Sequence, residues 1–197
     1  MSAAQHLTTP DSVKKNTRPM SVHIEDNRID IFIDEAEQLN VKPRIGDALY
    51  IDLLNYIEEK IFDADFNYVF TINISEYYKI LLNGGIYERK SKDVCGNKII
   101  EKKIFKGLRK TLEYYVYAKL VKHQDNNVTR FGFVQKEEQY SSHTDLKVKL
   151  ASEKDALSVA DGYMAECIEY IESNSEKFNL YNLGKAKNRI RFTIIGD

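Results

Sequence analysis

Residues 144–173 read TDLKVKLASEKDALSVADGYMAECIEYIES. Leu146, Leu150, Glu153, Leu157, Ala160, Met164, Cys167 and Ile171 recur by four and three. That spacing keeps returning a side chain to one side of an α-helix. It predicts a single helix of 30 residues, ~45 Å long at 1.5 Å per residue. The seam is heptad-like with one fault, Glu153. In a chain of one-domain size such a seam is read first as intramolecular core, although a helix this long has room for an interface as well. Cys167 lies on the seam and is read as a small buried hydrophobe. Tyr163 and Tyr170 lie off it and are candidate subunit-interface residues, because tyrosine brings a large contact area and one hydrogen bond.

The rest of the chain supplies partners for that helix. Asp26 is a suitable N-cap for a helix running to about Leu39, with Ile29, Phe32, Ile33, Ala36 and Leu39 on one face. Pro43 suits the first turn of a second helix, with Leu49, Leu53, Leu54, Tyr56 and Ile57 inward. A short loop between the two predicts an antiparallel helix pair. A third helix starts at Ser75 and stops at Asn83-Gly84-Gly85. Ile86–Arg89 and Lys98–Lys102 flank a turn around Asp93–Asn97 and read as an exposed β-hairpin. A fourth helix spans about Phe105–His123, with Leu108, Leu112, Tyr115, Val116 and Leu120 inward. Residues 124–143 read as irregular or extended. After Gly184, Arg189-Ile190-Arg191-Phe192-Thr193-Ile194 alternates polar and apolar, as a terminal strand does. The expected fold is mainly α: a helical bundle with a long C-terminal helix, a small β-hairpin insertion and a β-prone C-terminal tail.

Charge divides the 197 residues into three parts. Residues 1–24 hold Lys14, Lys15 and Arg18 against Asp11. Residues 182–197 hold Lys185, Lys187, Arg189 and Arg191 against Asp197. The whole chain carries −1, so the body, 25–181, is acidic at −6. The first part is polar and contains Pro10 and Pro19, so it is expected to be a flexible tail that buries too little surface to offset its ordering entropy. The body is the expected helical domain, and 182–197 is a separate C-terminal extension. That extension is the strongest partner-binding segment. Its main chain would add to a neighbour's sheet edge, with Lys185, Lys187, Arg189, Ile190, Arg191, Phe192 and Ile194 making the contact. Pairing with the chain's own hairpin is the alternative.

Composition and motifs exclude several function classes. Apolar residues make up 43% and charged residues 30%, a globular balance. No apolar run reaches the roughly 18–20 residues that span a bilayer, and the first 19 residues carry no hydrophobic stretch of a secretory signal. His6, His23, His123 and His143 have no metal-ligand spacing. His6 and His23 are expected to face solvent. Cys95, in the hairpin turn, lacks a neighbouring base or a second cysteine in C-x-x-C register. Asp63 and Asp65 form a D-x-D without the rest of a calcium loop and read as a solvated loop. No phosphate loop, nucleophile elbow or dinucleotide fingerprint occurs. The expectation is a non-enzymatic protein with no metal and no cofactor. One basic run stands out: Lys98, Lys102, Lys103, Lys106, Arg109 and Lys110, broken by Glu101. It reads first as a solvated face and second as a nucleic-acid patch.

Five stretches carry a family likeness: IFIDEAEQLNVKPRIGDALYIDLL at 31–54, ILLNGG at 80–85, FKGLRKTLEYYVYAKLV at 105–121, FGFVQK at 131–136 and ADGYMAECIEYI at 160–171, with the closing RIRFTIIGD. Through them the chain resembles the head–tail connector (adaptor) proteins of tailed bacteriophages, in the form found in phages and prophages of Bacteroidales, including crAss-like phages. The resemblance implies a helical-bundle adaptor of the virion, assembled in the host cytoplasm as a homo-oligomeric ring, typically of twelve copies, beneath the portal protein. Such a ring extends the channel through which genomic DNA passes and presents a platform to a downstream tail protein. A C-terminal extension that docks on the portal is common in the group, which fits 182–197. No membrane is implied.

Overall fold

The computed structural model describes residues 6–58, 76–92, 98–123, 126–129, 132–135 and 146–182. The architecture is mainly helical, with a long C-terminal helix and a small antiparallel hairpin. Two helices form its spine, α6 (Gly107–His123) and α7 (Leu146–Ser173). They run antiparallel: Thr111 meets Cys167, Tyr115 meets Asp161, and Lys122 meets Glu153. Small residues on α7, Ala156, Ala160 and Cys167, are fully buried and admit the larger Leu108, Leu112, Tyr115 and Val116 of α6. Burying each large side chain stabilises the fold by about 1.5–3 kcal/mol.

The seam on α7 holds only from Leu157 to Ile171. Leu146 and Leu150, expected on it, are 67% and 41% exposed. The physical reason is the length of its partner. Helix α6 ends at His123, level with Glu153, so the first two turns of α7 have no α6 to pack on. Glu153 marks that end by accepting Lys122 at 2.9 Å.

Chain entry differs from expectation. Residues 1–24 are expected to be a flexible tail, yet Leu7 and Val13 are built into the core while Val22 stays exposed. Helix α1 (Pro10–Asn16) is capped by the Thr9 side chain, which accepts from Ser12 N, and opens on Pro10. Leu7 and Val13 are completely buried. The polar groups around them are matched by two buried carboxylates far along the chain. Glu37 accepts Leu7 N at 2.6 Å, and Glu113 accepts Thr8, Ser12 and Asn16.

Helix α2 (Asp26–Ala36) buries Ile29, Phe32, Ile33 and Ala36 as expected. It then widens into a π turn over Glu37–Val41 before a short α3 (Lys42–Ile45) that contains Pro43. The wider turn rotates Leu39 outward, to 66% exposure, and brings Glu37 and Val41 inward. The chain therefore breaks at Gly46 (φ +89°), not between Leu39 and Pro43. Helix α4 (Asp47–Glu58) follows, packing against the closing 3₁₀ turn Asn179–Asn182, whereas α2 packs on α6. The expected antiparallel pair with a short loop does not form. Helix α5 (Glu76–Asn83) stops at Gly84 (φ +80°), as its sequence predicts.

Strands β1 (Gly85–Lys92) and β2 (Lys98–Phe105) pair antiparallel from Gly85↔Phe105 to Lys92↔Lys98. A second pair, β3 (Asn126–Thr129) and β4 (Gly132–Gln135), lies in the stretch read as irregular or extended. Cys95, Asp63, Asp65, His143 and the tail from 183 on lie outside the described residues. Among the described residues no helix is long and apolar enough to cross a membrane.

Candidate functional site

The β1–β2 hairpin has two unlike faces, because side chains alternate along each strand. The inner face is bound to α7. Tyr87 and Phe105 pack on Tyr170, with ring centroids 5.1 and 4.8 Å away. Tyr170 in turn meets Phe178, which stacks on Tyr78 at 5.6 Å. Aromatic pairs of this kind add about 0.5–1.5 kcal/mol each beyond simple burial. Beside them, Glu169 of α7 pairs with Arg89 of β1 and with Lys103 of β2. The hairpin base is thus fixed by a ring cluster and a forked ion pair.

The outer face is different. Ile86 lies directly opposite Ile104, Glu88 opposite Lys102, and Lys90 opposite Ile100. Ile86, Ile100 and Ile104 are 65–68% exposed. The Glu88–Lys102 pair separates Ile100 from the Ile86–Ile104 pair, so this face carries exposed β-branched aliphatics on either side of a charged pair. Among the described residues the sheet contains only β1 and β2. The alternation in IYERKSK and KIIEKKIF carries this signal, which the basic run next to it obscured.

Below the hairpin neck a cleft of about 280 Å³ is lined by Ser12, Asn16, Asn83, Lys106, Arg109, Lys110 and Glu113. Glu113 is 1% exposed. Its Oε1 accepts the Ser12 hydroxyl at 2.6 Å, Asn16 Nδ2 at 3.1 Å and the Thr8 hydroxyl at 3.2 Å, and its Oε2 has no partner among the described residues. Arg109 donates through Nε to Leu7 O and through Nη1 to Asn83 Oδ1, both at 2.9 Å. Burial lowers the Arg109 pKa, opposed by attraction to Glu113. These are clamps on the N-terminal segment.

The basic run is split: Lys106, Arg109 and Lys110 come together at the cleft, while the hairpin lysines point to opposite faces. Lys102 lies on the outer hairpin face and Lys103 on the inner one. Arg109 is engaged inward, while Lys106 and Lys110 line the cleft, Lys110 over the Tyr114 ring at 5.5 Å. The Lys98 side chain lies outside the described residues. Tyr163 is half-buried, edge-on to Tyr114 at 5.7 Å. Tyr170 is not a surface residue: it is 1% exposed at the centre of the ring cluster, and burial raises its hydroxyl pKa. The step from Cys167 to Tyr170 to Ile171 places Tyr170 on the buried side at this end of α7, where the hairpin covers it. The tail residues Lys185, Lys187, Arg189, Ile190, Arg191, Phe192 and Ile194 lie outside the described residues.

His6, expected in solvent, is held by Glu37 at 2.9 Å with its side chain 13% exposed. The hydrogen bond to Glu37 raises the His6 pKa, opposed by desolvation and supported by the charges of Glu37, Asp30 and Asp34. Tyr50 donates to the same carboxylate at 3.0 Å. Among the described residues no three His, Cys, Asp or Glu side chains gather as metal ligands.

No curated protein and no solved structure matches the chain. A family model described as "Family of unknown function (DUF6712)" matches residues 42–190, a span that takes in α4–α7 and the hairpin whose two faces are described above. The chain belongs to that family.

Proposed function

We propose that the chain is a structural virion subunit, a head–tail connector that assembles with copies of itself into a ring under the portal of a tailed phage. The ring would lengthen the DNA channel and join capsid to tail. The observation that carries this reading is the outer face of the hairpin, where Ile86, Ile100 and Ile104 are exposed. A surface of that kind serves contact with protein. The likeness of residues 31–54, 80–85, 105–121, 131–136 and 160–171 to phage adaptors supplies the setting. An acidic body suits a channel wall, since it repels phosphate and lets a genome slide. The twelve copies, the portal and the tail partner rest on that resemblance.

Binding nucleic acid through Lys98–Lys110 is the weaker reading, because Lys103 and Arg109 spend their charge on partners within the chain. Native mass spectrometry of the purified protein, alone and with the cognate portal, tests the proposal. A closed ring, or a portal complex carrying many copies, is the expected result. A monomer that ignores the portal would overturn it and make salt-dependent DNA binding the next assay.

A further inference from the structure

We propose that the cleft below the hairpin neck binds a phosphate group that still carries a proton, with Lys106 and Lys110 taking its anionic oxygens and Glu113 accepting its P–OH. The inference does not depend on the ring reading. It starts from one atom. Glu113 is 1% exposed and lines the cleft. Its Oε1 collects three donors, whereas its Oε2 has none among the described residues. A buried carboxylate oxygen is rarely left unmet, so one in the wall of a cleft calls for a ligand that donates a hydrogen bond.

The other walls call for negative charge. Lys106, Arg109 and Lys110 line the same cleft. Elsewhere the bundle matches its cations with carboxylates, as Arg18 with Asp155 and Arg44 with Asp161. Among the described residues these three have no carboxylate within ion-pair distance. Arg109 is fixed by two neutral acceptors, Leu7 O and Asn83 Oδ1. The three cations flank the start of α6, where the first amides of the helix add positive potential. Three cations against one carboxylate favour an anion over a zwitterion such as a free amino acid. One small group must then offer both charge and a donor. A protonated phosphate does so; sulfate and phosphodiesters offer charge alone. The cleft, about 280 Å³, is at the small end of ligand sites and suits a phosphate alone or one bearing a single sugar. A nucleic-acid backbone suits it poorly, since its diesters have no P–OH and Lys102 and Lys103 point to opposite hairpin faces.

Calorimetric titration of the full chain at pH 6, where a monoester with a second pKa of about 6 also keeps part of its P–OH, tests the site. The probes are inorganic phosphate, ribose 5-phosphate, sulfate and dimethyl phosphate. Phosphate or ribose 5-phosphate should bind, the tighter of the two naming a free ion or an ester as the occupant, and the other two should not. Sulfate is the more highly charged at this pH, so attraction by charge alone would favour it. Sulfate binding as tightly as phosphate, or no binding of either phosphate, would overturn the proposal. Two variants, each checked for a wild-type circular dichroism spectrum and melting curve, assign the residues. Lys106→Ala with Lys110→Ala should weaken phosphate binding at least about tenfold, the scale of a lost hydrogen bond to a charged group. Glu113→Gln should keep its amide oxygen toward Asn16 and turn its amide N–H₂ to the place of Oε2, so sulfate should now bind as well as phosphate. Unchanged affinity in the lysine variant, or continued rejection of sulfate by Glu113→Gln, would overturn the assignment.

Discussion

Gly84 and Gly107 meet backbone to backbone at the neck of the hairpin. Both have positive φ, +80° and +82°. A Cβ on Gly107 would lie 2.2 Å from Gly84 N, and one on Gly84 would lie 2.5 Å from Phe105 O. One glycine ends α5 and the other begins α6, so their contact sets where the hairpin leaves the bundle. The outer face is aimed by this neck together with the ring cluster on Tyr170.

Gly107→Ala should therefore cost at least about 2 kcal/mol, since the left-handed backbone alone costs roughly 1–2 kcal/mol for a residue with a Cβ and the obstacle is backbone that cannot swing away. Gly162→Ala is the contrast. It sits on the exposed side of α7 with nothing within 4 Å of the added carbon. It should stabilise by about 0.5–1 kcal/mol through helix propensity. Urea unfolding of both variants checks the pair. Equal effects would show that the neck is not tightly packed.

What sequence could and could not reveal follows the range of the interactions. Helix α7, the stop at Gly84 and the hairpin depend on spacing and turn residues close together in the chain, and they were legible. The role of Gly107 was not, because FKG looks like any helix start until Gly84 lies against it. The burial of the N-terminal segment is hidden from the sequence for the same reason. Its apolar residues are few, but Glu37 and Glu113 supply partners 30 and about 100 positions away. The π turn was invisible to a 3.6-residue period, so Leu39 was assigned inward. Tyr170 was assigned outward because the seam was counted without the hairpin that covers it.

Glu113 is the anchor of that N-terminal segment. Glu113→Ala removes the acceptor for Thr8, Ser12 and Asn16, and leaving a buried donor unmet costs about 1–3 kcal/mol. Glu113→Gln keeps one oxygen in place and should cost less. Hydrogen exchange of the α1 amides should quicken in the alanine variant while the α6 amides stay protected. Unchanged α1 protection would show that the clamp does not hold the segment.

The His6–Glu37 pair makes stability depend on pH in a defined sense. The folded state raises the His6 pKa above its ordinary 6.5. The protonated pair therefore contributes fully below about pH 6.5, and its contribution fades as pH rises through the higher folded-state value. His6→Ala should lose more stability relative to wild type at pH 5.5 than at pH 8.5. Denaturant midpoints at the two pH values measure this, and a loss that grows with pH would contradict the pairing.

Cys167 should be chemically silent in the folded protein. It is fully buried beside Thr111, and desolvation pushes its thiol pKa up to about 12. Only thiolate reacts with alkylating reagents. Iodoacetamide at pH 8 should leave Cys167 unmodified until denaturant is added, as peptide mapping would reveal. Rapid native labelling of Cys167 would mean that α6 and α7 separate far more readily than their packing implies.

The boundary of the C-terminal extension can be placed by the core. Phe178 and Tyr181 are 2% and 5% exposed, so the chain through Asn182 belongs to the bundle. A cut after Asn182 removes Lys185, Lys187, Arg189 and Arg191 and keeps every core side chain of the described residues. It should leave the melting temperature within about 2 °C of wild type, the scale of a change below 0.5 kcal/mol in a domain of this size. If 183–197 is the portal-docking segment, the same cut should abolish portal binding. A truncated chain that binds the portal as well as the full one would move the docking surface to the bundle itself.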